Sequence, residues 1–489
     1  MPARVGATLS PCLVPLLVPP TSFLVPRLTM TMRLDYTNLM DAAVAGGVTD
    51  AELAAAADDF RAAHEAVKDD HEAGRLGFID LPVHHRCRDQ VLDYAARARG
   101  RFRDVVVLGI GGSALGPIAL RTALRPPGWN DLSEGERGGL PRLHVLDNVD
   151  PITIAALLGR LDLKRTLFIV TSKSGGTAET MAQYLVVRDR LERTVGGAVA
   201  DHLVFVTDPA RGALRALAGT EGIAALDVPE NVGGRFSVLS PVGLLPAALI
   251  GIDTAGLLAG AAEMARRCAT ATLSENPAGS YAVLQWLSHT AHGRGTHVFM
   301  PYSDALRDFA AWFVQLWAES LGKIRPDGTS VGPTPVAALG ATDQHSQVQL
   351  FMEGPADKTV TFLAVDDRGD DVAIPAGATA SDLAYLGGHT LGELLAVEQK
   401  ATAGALARRG RPNMTLHLER VDARHVGGLI MLLELATAYA GQLYGVNAFD
   451  QPGVELGKQF AYAMLGRPGS EAARAEWDQL PVSDPRYSV

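Results

Sequence analysis

The sequence predicts an α/β fold: two three-layer αβα lobes with mostly parallel, doubly wound sheets. Three observations carry that reading. The runs 105–108 (VVVL), 143–146 (LHVL), 167–170 (LFIV) and 203–206 (LVFV) are short, apolar and separated by segments of helical length. Runs of this kind, alternating with helices, belong to a parallel sheet covered on both faces. A weaker second series follows at 297–300, 347–350, 359–362 and 414–417, which makes a second lobe. Between and after these runs, 241–268 has a helical pattern, and 427–444 is apolar nearly all round, as expected of a helix enclosed by other elements.

Taken in order, residues 1–31 read as an extension to the fold. Their apolar stretch is broken by Pro2, Pro11, Pro15, Pro19, Pro20 and Pro26, which suits neither a membrane span nor the core of a signal peptide. A translation start at Met30 or Met32 explains it more simply. Residues 32–100 form a helical segment, opened by the capping box Thr49-Asp50-Ala51-Glu52 and stopping near Gly74. The first lobe takes 101–268 and the second 269–445. A C-terminal segment, 446–489, ends in a polar, Pro-containing surface tail from Arg467 onward.

With 489 residues, 47% of them hydrophobic, the chain can bury a large core. A net charge of −10 argues against nucleic acid or an anionic membrane as partner. Cys12, Cys87 and Cys268 are far apart and fit neither a disulfide framework nor a metal knuckle, so a reducing cytoplasm is the expected setting. His289 and His292 alone make a weak metal pair, and no metal or cofactor is expected.

Ser172-Lys173-Ser174-Gly175-Gly176-Thr177 is the most informative stretch. A strand feeding a hydroxyl-rich turn at a helix N-terminus gathers O–H groups, free N–H groups and the positive end of a helix dipole, which suits one phosphate. The P-loop spacing is absent, so a small sugar phosphate fits better than a nucleotide; ordinary N-cap chemistry is the plainer alternative. Gly109-Ile110-Gly111-Gly112-Ser113-Ala114 satisfies a loose dinucleotide pattern, with Asp147 as a distant candidate ribose acid. It can equally be a tight turn, or close over the same small ligand, since adjacent strand ends share one crevice.

On the aromatic helix 309–319, Gln315 and Glu319 fall one turn apart. Desolvation on so apolar a helix suits a carboxylate to general-base work, although Asp308, Gln315 and Glu319 also fit a solvent-facing stripe. Gly233-Gly234-Arg235 offers a fixed guanidinium to an oxyanion. His345 is a candidate acid–base group, and Lys458 can reach a substrate oxygen or simply solvent.

In chain order, Gly109–Ser113, Ser172–Thr177 with Glu179-Thr180, Gly233-Gly234-Arg235-Phe236-Ser237, Glu319-Ser320-Leu321-Gly322-Lys323, Gln344-His345 and Gln451–Lys458 resemble the glucose-6-phosphate isomerase family, whose members have two sugar-isomerase (SIS) lobes. The phosphate turn is similar to that of bacterial members. Two departures stand out: Ala318 where the family often has Met, and Thr342-Asp343 where it often has Asn-Gly. Neither removes a reactive group.

The resemblance implies that Ser172, Lys173, Ser174, Thr177, Gly112 and Ser113 bind the substrate's phosphate end, while Gln315 and Gln451 position hydroxyls. It implies that His345 opens the sugar ring with Lys458 nearby, and that Glu319 shuttles a proton between C2 and C1 through a cis-enediol. Arg235 would oppose the intermediate's charge. It also implies a homodimer in which His345 reaches in from the partner subunit. A non-catalytic sugar-phosphate-binding protein and, less favoured, a nicotinamide-dependent oxidoreductase are the alternatives.

Overall fold

The computed structural model describes Met30 and residues 32–377, 380–481 and 483–489. The expectation for the N-terminal extension, Cys12 included, lies outside the described residues apart from Met30.

The first element is a strand, β1 (Met32–Asp35), where helices were expected. Its partner lies near the other end of the chain, with Leu34 opposite Leu416, so no local pattern announces it. The helix α1 (Asp50–Glu72) starts at the predicted capping box: the Glu52 N–H donates to Thr49 Oγ1 at 3.1 Å and the Thr49 N–H donates back to the Glu52 carboxylate at 2.7 Å. α2 (His85–Ala98) leads into the first sheet.

That sheet contains β2 (Asp104–Leu108), β3 (Arg142–Leu146), β4 (Thr166–Thr171), β5 (Leu203–Thr207) and β6 (Ala224–Asp227), in the order β3-β2-β4-β5-β6 and parallel throughout. The helices α3 (Leu115–Leu124), α4 (Pro151–Arg160), α5 (Ala178–Val195) and α6 (Ala213–Glu221) alternate with the strands. All four predicted apolar runs are strands. The fifth, β6, has only two fully buried residues and carries too little apolar signal. The chain turns to opposite sides after β2 and β4, which are hydrogen-bonded neighbours, so the loops leaving their C-terminal ends flank the topological switch point.

α7 (Pro241–Leu249), α8 (Thr254–Arg267) and α9 (Pro277–Thr290) connect to β7 (Thr296–Pro301) and α10 (Arg307–Leu321). A small hairpin, β8 (Lys323–Ile324) and β9 (Ser330–Val331), precedes β10 (Thr334–Ala337), α11 (Val348–Glu353), β11 (Lys358–Asp367), α12 (Leu391–Arg408) and β12 (Asn413–Arg420). The second sheet runs β1-β12-β11-β7-β10, with β1 antiparallel and the rest parallel.

One expected strand is wrong. Residues 347–350 enter α11, where Val348, Phe351 and Met352 face a hydrophobic cluster and Gln349 and Leu350 face solvent, a helical period. The strand beside β7 is β10, disguised by Pro335; proline is tolerated there because β10 is an edge.

The apolar run becomes α13 (Ala423–Tyr444), packed against α8, α9, α1 and α10. It is long and apolar enough to cross a membrane, yet 94% of its most apolar window is buried within the protein, as a core helix requires. α14 (Glu455–Met464) and α15 (Glu471–Trp477) pack on one another through Phe460 and Trp477, whose ring centroids are 5.5 Å apart, and leave Leu456, Leu465 and Tyr487 exposed.

Candidate active site

At the turn after β4, Thr177 occupies the N-cap position of α5 but its hydroxyl makes no capping bond. It bonds instead to Ser172 Oγ at 2.9 Å, while Ser174 Oγ lies 3.4 and 3.5 Å from the Ser172 and Thr177 hydroxyls. Gly175, at φ 66°, bends the backbone through a conformation other residues rarely adopt, and the Gly176 N–H points to Ser174 Oγ at 3.4 Å. Ordinary capping would place a hydroxyl on a first-turn N–H. Three hydroxyls clustered in front of a helix start instead match the requirements of a phosphate seat.

Lys173 behaves differently from its neighbours. Its Nζ donates to the Glu230 carbonyl at 2.8 Å, and burial lowers its pKa against the opposing pull of Asp208 and Glu230. The side chain thus ties the turn to the segment leading into Gly233-Gly234-Arg235.

The loop after β2 touches both remaining parts of the site. A Cβ on Gly112 would sit 2.4 Å from the Gly234 carbonyl oxygen, and one on Gly111 would sit 2.9 Å from Gln315 Nε2. Glycine is therefore needed at 112 for two backbones to meet. The 233–235 backbone is packed directly against this loop, so the glycine at 112 is explained by a close backbone contact without a dinucleotide.

Arg235 is almost completely buried, and four of its hydrogen bonds fix it. Nε donates to Ser320 Oγ at 2.7 Å, Nη2 to the carbonyls of Ala448 and Asp450, and Nη1 to Gln451 Oε1 at 3.2 Å. Nη1 also faces Glu319 Oε2 at 3.6 Å. Burial lowers the guanidinium's pKa, while Glu319 and Asp450 pull it back up. Gln315 Nε2 donates to the same Glu319 oxygen at 3.1 Å, and Gln315 Oε1 is buried without a partner among the described residues. Both the cationic and the amide contact fall on Oε2. The stripe reading of α10 fails: Asp308 bonds to the Thr122 hydroxyl, and Gln315 and Glu319 face the 111 and 235 loops.

A profile of the phosphoglucose isomerase family matches residues 90–481. The chain belongs to the phosphoglucose isomerase family. It is 46% identical over 453 residues to the glucose-6-phosphate isomerase of Carboxydothermus hydrogenoformans, covering 91% of this chain and 97% of that one. To the glucose-6-phosphate isomerase of Rubrobacter xylanophilus it is 47% identical, covering 90% and 99% of the two chains. Among solved structures, a hypothetical protein of Thermus thermophilus superposes with a TM-score of 0.80 at 40% identity, covering 89% of this chain and all of that one.

Two groups that the family resemblance assigns to the chemistry stay apart from the rest in this isomerase-family chain. His345 ends the short helical turn Thr342–His345, exposed to solvent. Lys458 lies on α14, its side chain 47% exposed, with Nζ on Glu455 at 2.8 Å. No hydrogen bond or ion pair among the described residues joins either one to Glu319, Arg235 or Gln451. Asp343, one of the departures from the family pattern, has a structural role. Its carboxylate accepts from the Leu339 N–H at 2.7 Å and from the Ser346 hydroxyl, fixing the turn that displays His345.

Sequence reasoning missed Ser320 and Lys323 as supporting groups. Lys323 Nζ donates to the Asn447 carbonyl at 2.7 Å and to Asp450 Oδ1 at 2.8 Å, holding the loop whose carbonyls and Gln451 grip Arg235. Both residues stood in the Glu-Ser-Leu-Gly-Lys block; only their partners, far away in the chain, were invisible. His289 and His292 face different partners, the Tyr444 hydroxyl and Glu52.

Proposed function

We propose that this enzyme interconverts D-glucose 6-phosphate and D-fructose 6-phosphate, in glycolysis and gluconeogenesis, in the cytoplasm. The observation that carries the reading is the Arg235–Glu319 pair standing beside the loop at 111–113, next to the hydroxyl seat. Ser172, Ser174 and Thr177 hold the phosphate with backbone N–H groups, and Gly112 and Ser113 line the same end. His345, with Lys458, assists ring opening. Glu319 Oε1 then takes the proton from C2 and returns it to C1 as electrons move through the cis-enediol, a transfer within one substrate with no net gain or loss of electrons. Arg235, already desolvated and fixed, faces the developing negative charge without reorganising. Gln315 and Gln451 orient hydroxyls. A non-catalytic sugar-phosphate binder would have no use for a buried arginine aimed at a carboxylate.

The protein acts as a homodimer in which His345 serves the partner's site. Its exposure, and the apolar residues exposed on the C-terminal helices, support this arrangement. Buried free thiols at Cys87 and Cys268 suit a reducing compartment.

A coupled assay in both directions with purified protein and chelator tests the activity; absence of turnover refutes it. Mixing subunits tests the dimer. Glu319→Gln and His345→Asn homodimers should each be nearly inactive, whereas their re-associated mixture regains roughly a quarter of wild-type activity, because half of the dimers carry one intact site. No recovery on mixing places His345 in its own subunit's site.

A further inference from the structure

We propose that the cleft between α3 and the start of α10 is a second anion site, built to take the phosphate group of a small phosphorylated metabolite. It encloses about 410 Å³ and shares no residue with the catalytic site described above.

Arg121 and Arg125 both line it. Arg121 lies in the last turn of α3, and Arg125 caps the helix just past its end with extended backbone. Neither makes an ion pair among the described residues. Arg121 Nη1 donates to the Leu143 carbonyl at 2.9 Å. Arg125 holds its guanidinium 5.2 Å from the centre of the Trp129 ring, and its Nε is buried with no hydrogen-bond partner among the described residues.

The nearby carboxylates are engaged with other groups. Asp304 is paired with Arg307 at 2.9 Å, and Asp308 is bonded to the Thr122 hydroxyl. Asp131 makes no ion pair with either arginine, and the lining sets Arg121, Arg125 and Arg307 against Asp131 and Asp304, a balance of one positive charge. Burial lowers the pKa of both arginines, with Asp308 opposing the effect at Arg121. Two neighbouring cations partly withdrawn from water, neither held in an ion pair of its own, are a costly arrangement, and an anion bound between them relieves it.

The wall that faces them is already fixed. Asn130 exchanges two hydrogen bonds with the Leu143 backbone, at 2.8 and 2.9 Å, and Trp129 Nε1 donates to the Pro141 carbonyl at 3.1 Å. Planar guanidinium forks match the paired oxygens of a phosphate, and a dianion meets two forks at once. Because α3 belongs to the first lobe and α10 carries Gln315 and Glu319 in the second, a bound anion braces the base helix against the phosphate-binding lobe.

Equilibrium dialysis of the intact protein with labelled inorganic phosphate tests the site. Two phosphates per chain are expected in the wild type. One is expected in Arg121→Met/Arg125→Met, whose apolar stems keep the packing, and one in Ser174→Ala/Thr177→Val, which disables the catalytic seat. In kinetics, phosphate should show a non-competitive component in the wild type that disappears in the double arginine variant while turnover without phosphate is unchanged. Should that variant not fold, Arg125→Lys keeps the charge but loses the fork, and its second-class affinity should fall about tenfold. A single phosphate per chain in the wild type, second-class binding only above about 10 mM (a standard free energy of only about −2.7 kcal/mol), or a second class indifferent to these arginine changes overturns the proposal.

Discussion

The turn after β4 draws its three hydroxyls from Ser172, Ser174 and Thr177, between one strand and one helix, whereas the groups around Glu319 join Ser320 of the same helix to two distant segments that contribute Arg235 and Gln451. The first arrangement is complete as soon as β4 and α5 dock. The second exists only when both lobes and the loop after α13 are in place, and it still leaves His345 and Lys458 outside. A holding site can be written into a short stretch because a phosphate needs only donors and a helix end. Proton transfer needs a base, an opposing charge and a fixed spacing, which one stretch of chain cannot supply.

This contrast predicts a gradient of effects. Glu319→Gln should lower kcat by about 10³-fold or more while KM for the sugar phosphate changes little, since a base is removed and the seat is intact. Steady-state kinetics with a folded variant decide it; near-normal turnover would move the base elsewhere. Arg235→Lys should come next, with kcat down about 10²-fold, because lysine keeps a charge but cannot satisfy Ser320, Gln451 and two carbonyls together. If the loss appeared in KM alone, Arg235 would belong to the holding half. Thr177→Val should do the reverse of Glu319→Gln, raising KM about tenfold with kcat nearly constant, as expected for loss of a contact made equally in ground and transition states.

The smallest effect should come from a carboxyl outside both halves. Glu434, in the middle of α13, is fully buried with no hydrogen-bond partner among the described residues, and burial raises its pKa well above the usual carboxylate range. With the folded value raised, the unfolded chain gives up the proton first as pH rises. The contribution to stability is therefore full below about pH 4.3, the ordinary glutamate value, and is lost as pH climbs towards the folded value. Glu434→Gln has no such proton to lose, so its Tm should exceed that of wild type by on the order of a few degrees, with a gap that widens from acidic to neutral pH. Turnover should be unchanged, in contrast with the carboxylate at 319. A constant gap across pH would mean that the carboxyl is already ionised in the fold.

Much of the fold was legible because a parallel sheet buried on both faces needs short apolar runs, and 105–108 or 167–170 can hardly be anything else. Elements failed to show where that pressure relaxes. β10 lies at an edge and carries Pro335, β6 is short and only half buried, and β1 is recognisable only through its partner β12. At 347–350 a short run fits two periods, and the neighbouring core decided for the helix. The site divided in the same way. The hydroxyl turn and the Gln315–Glu319 spacing could be read directly, but nothing near Lys173 in the chain indicates that it binds the Glu230 carbonyl, or near Lys323 that it anchors the 447–450 loop.

By itself the sequence determined the two-lobed α/β class, the hydroxyl-rich turn after a strand and the spacing of Gln315 and Glu319 on one helix, because strand burial, helix periodicity and glycine-dependent turns act over a few residues. Tertiary structure decided which of those groups meet. It turned the Thr177 hydroxyl from a cap into part of a seat, set Gly112 against Gly234, and placed Arg235 between Ser320, Gln451 and Glu319. The physical reason is that a buried guanidinium must satisfy its donors wherever acceptors are available, and here they lie in segments brought together only by the packing of the two lobes.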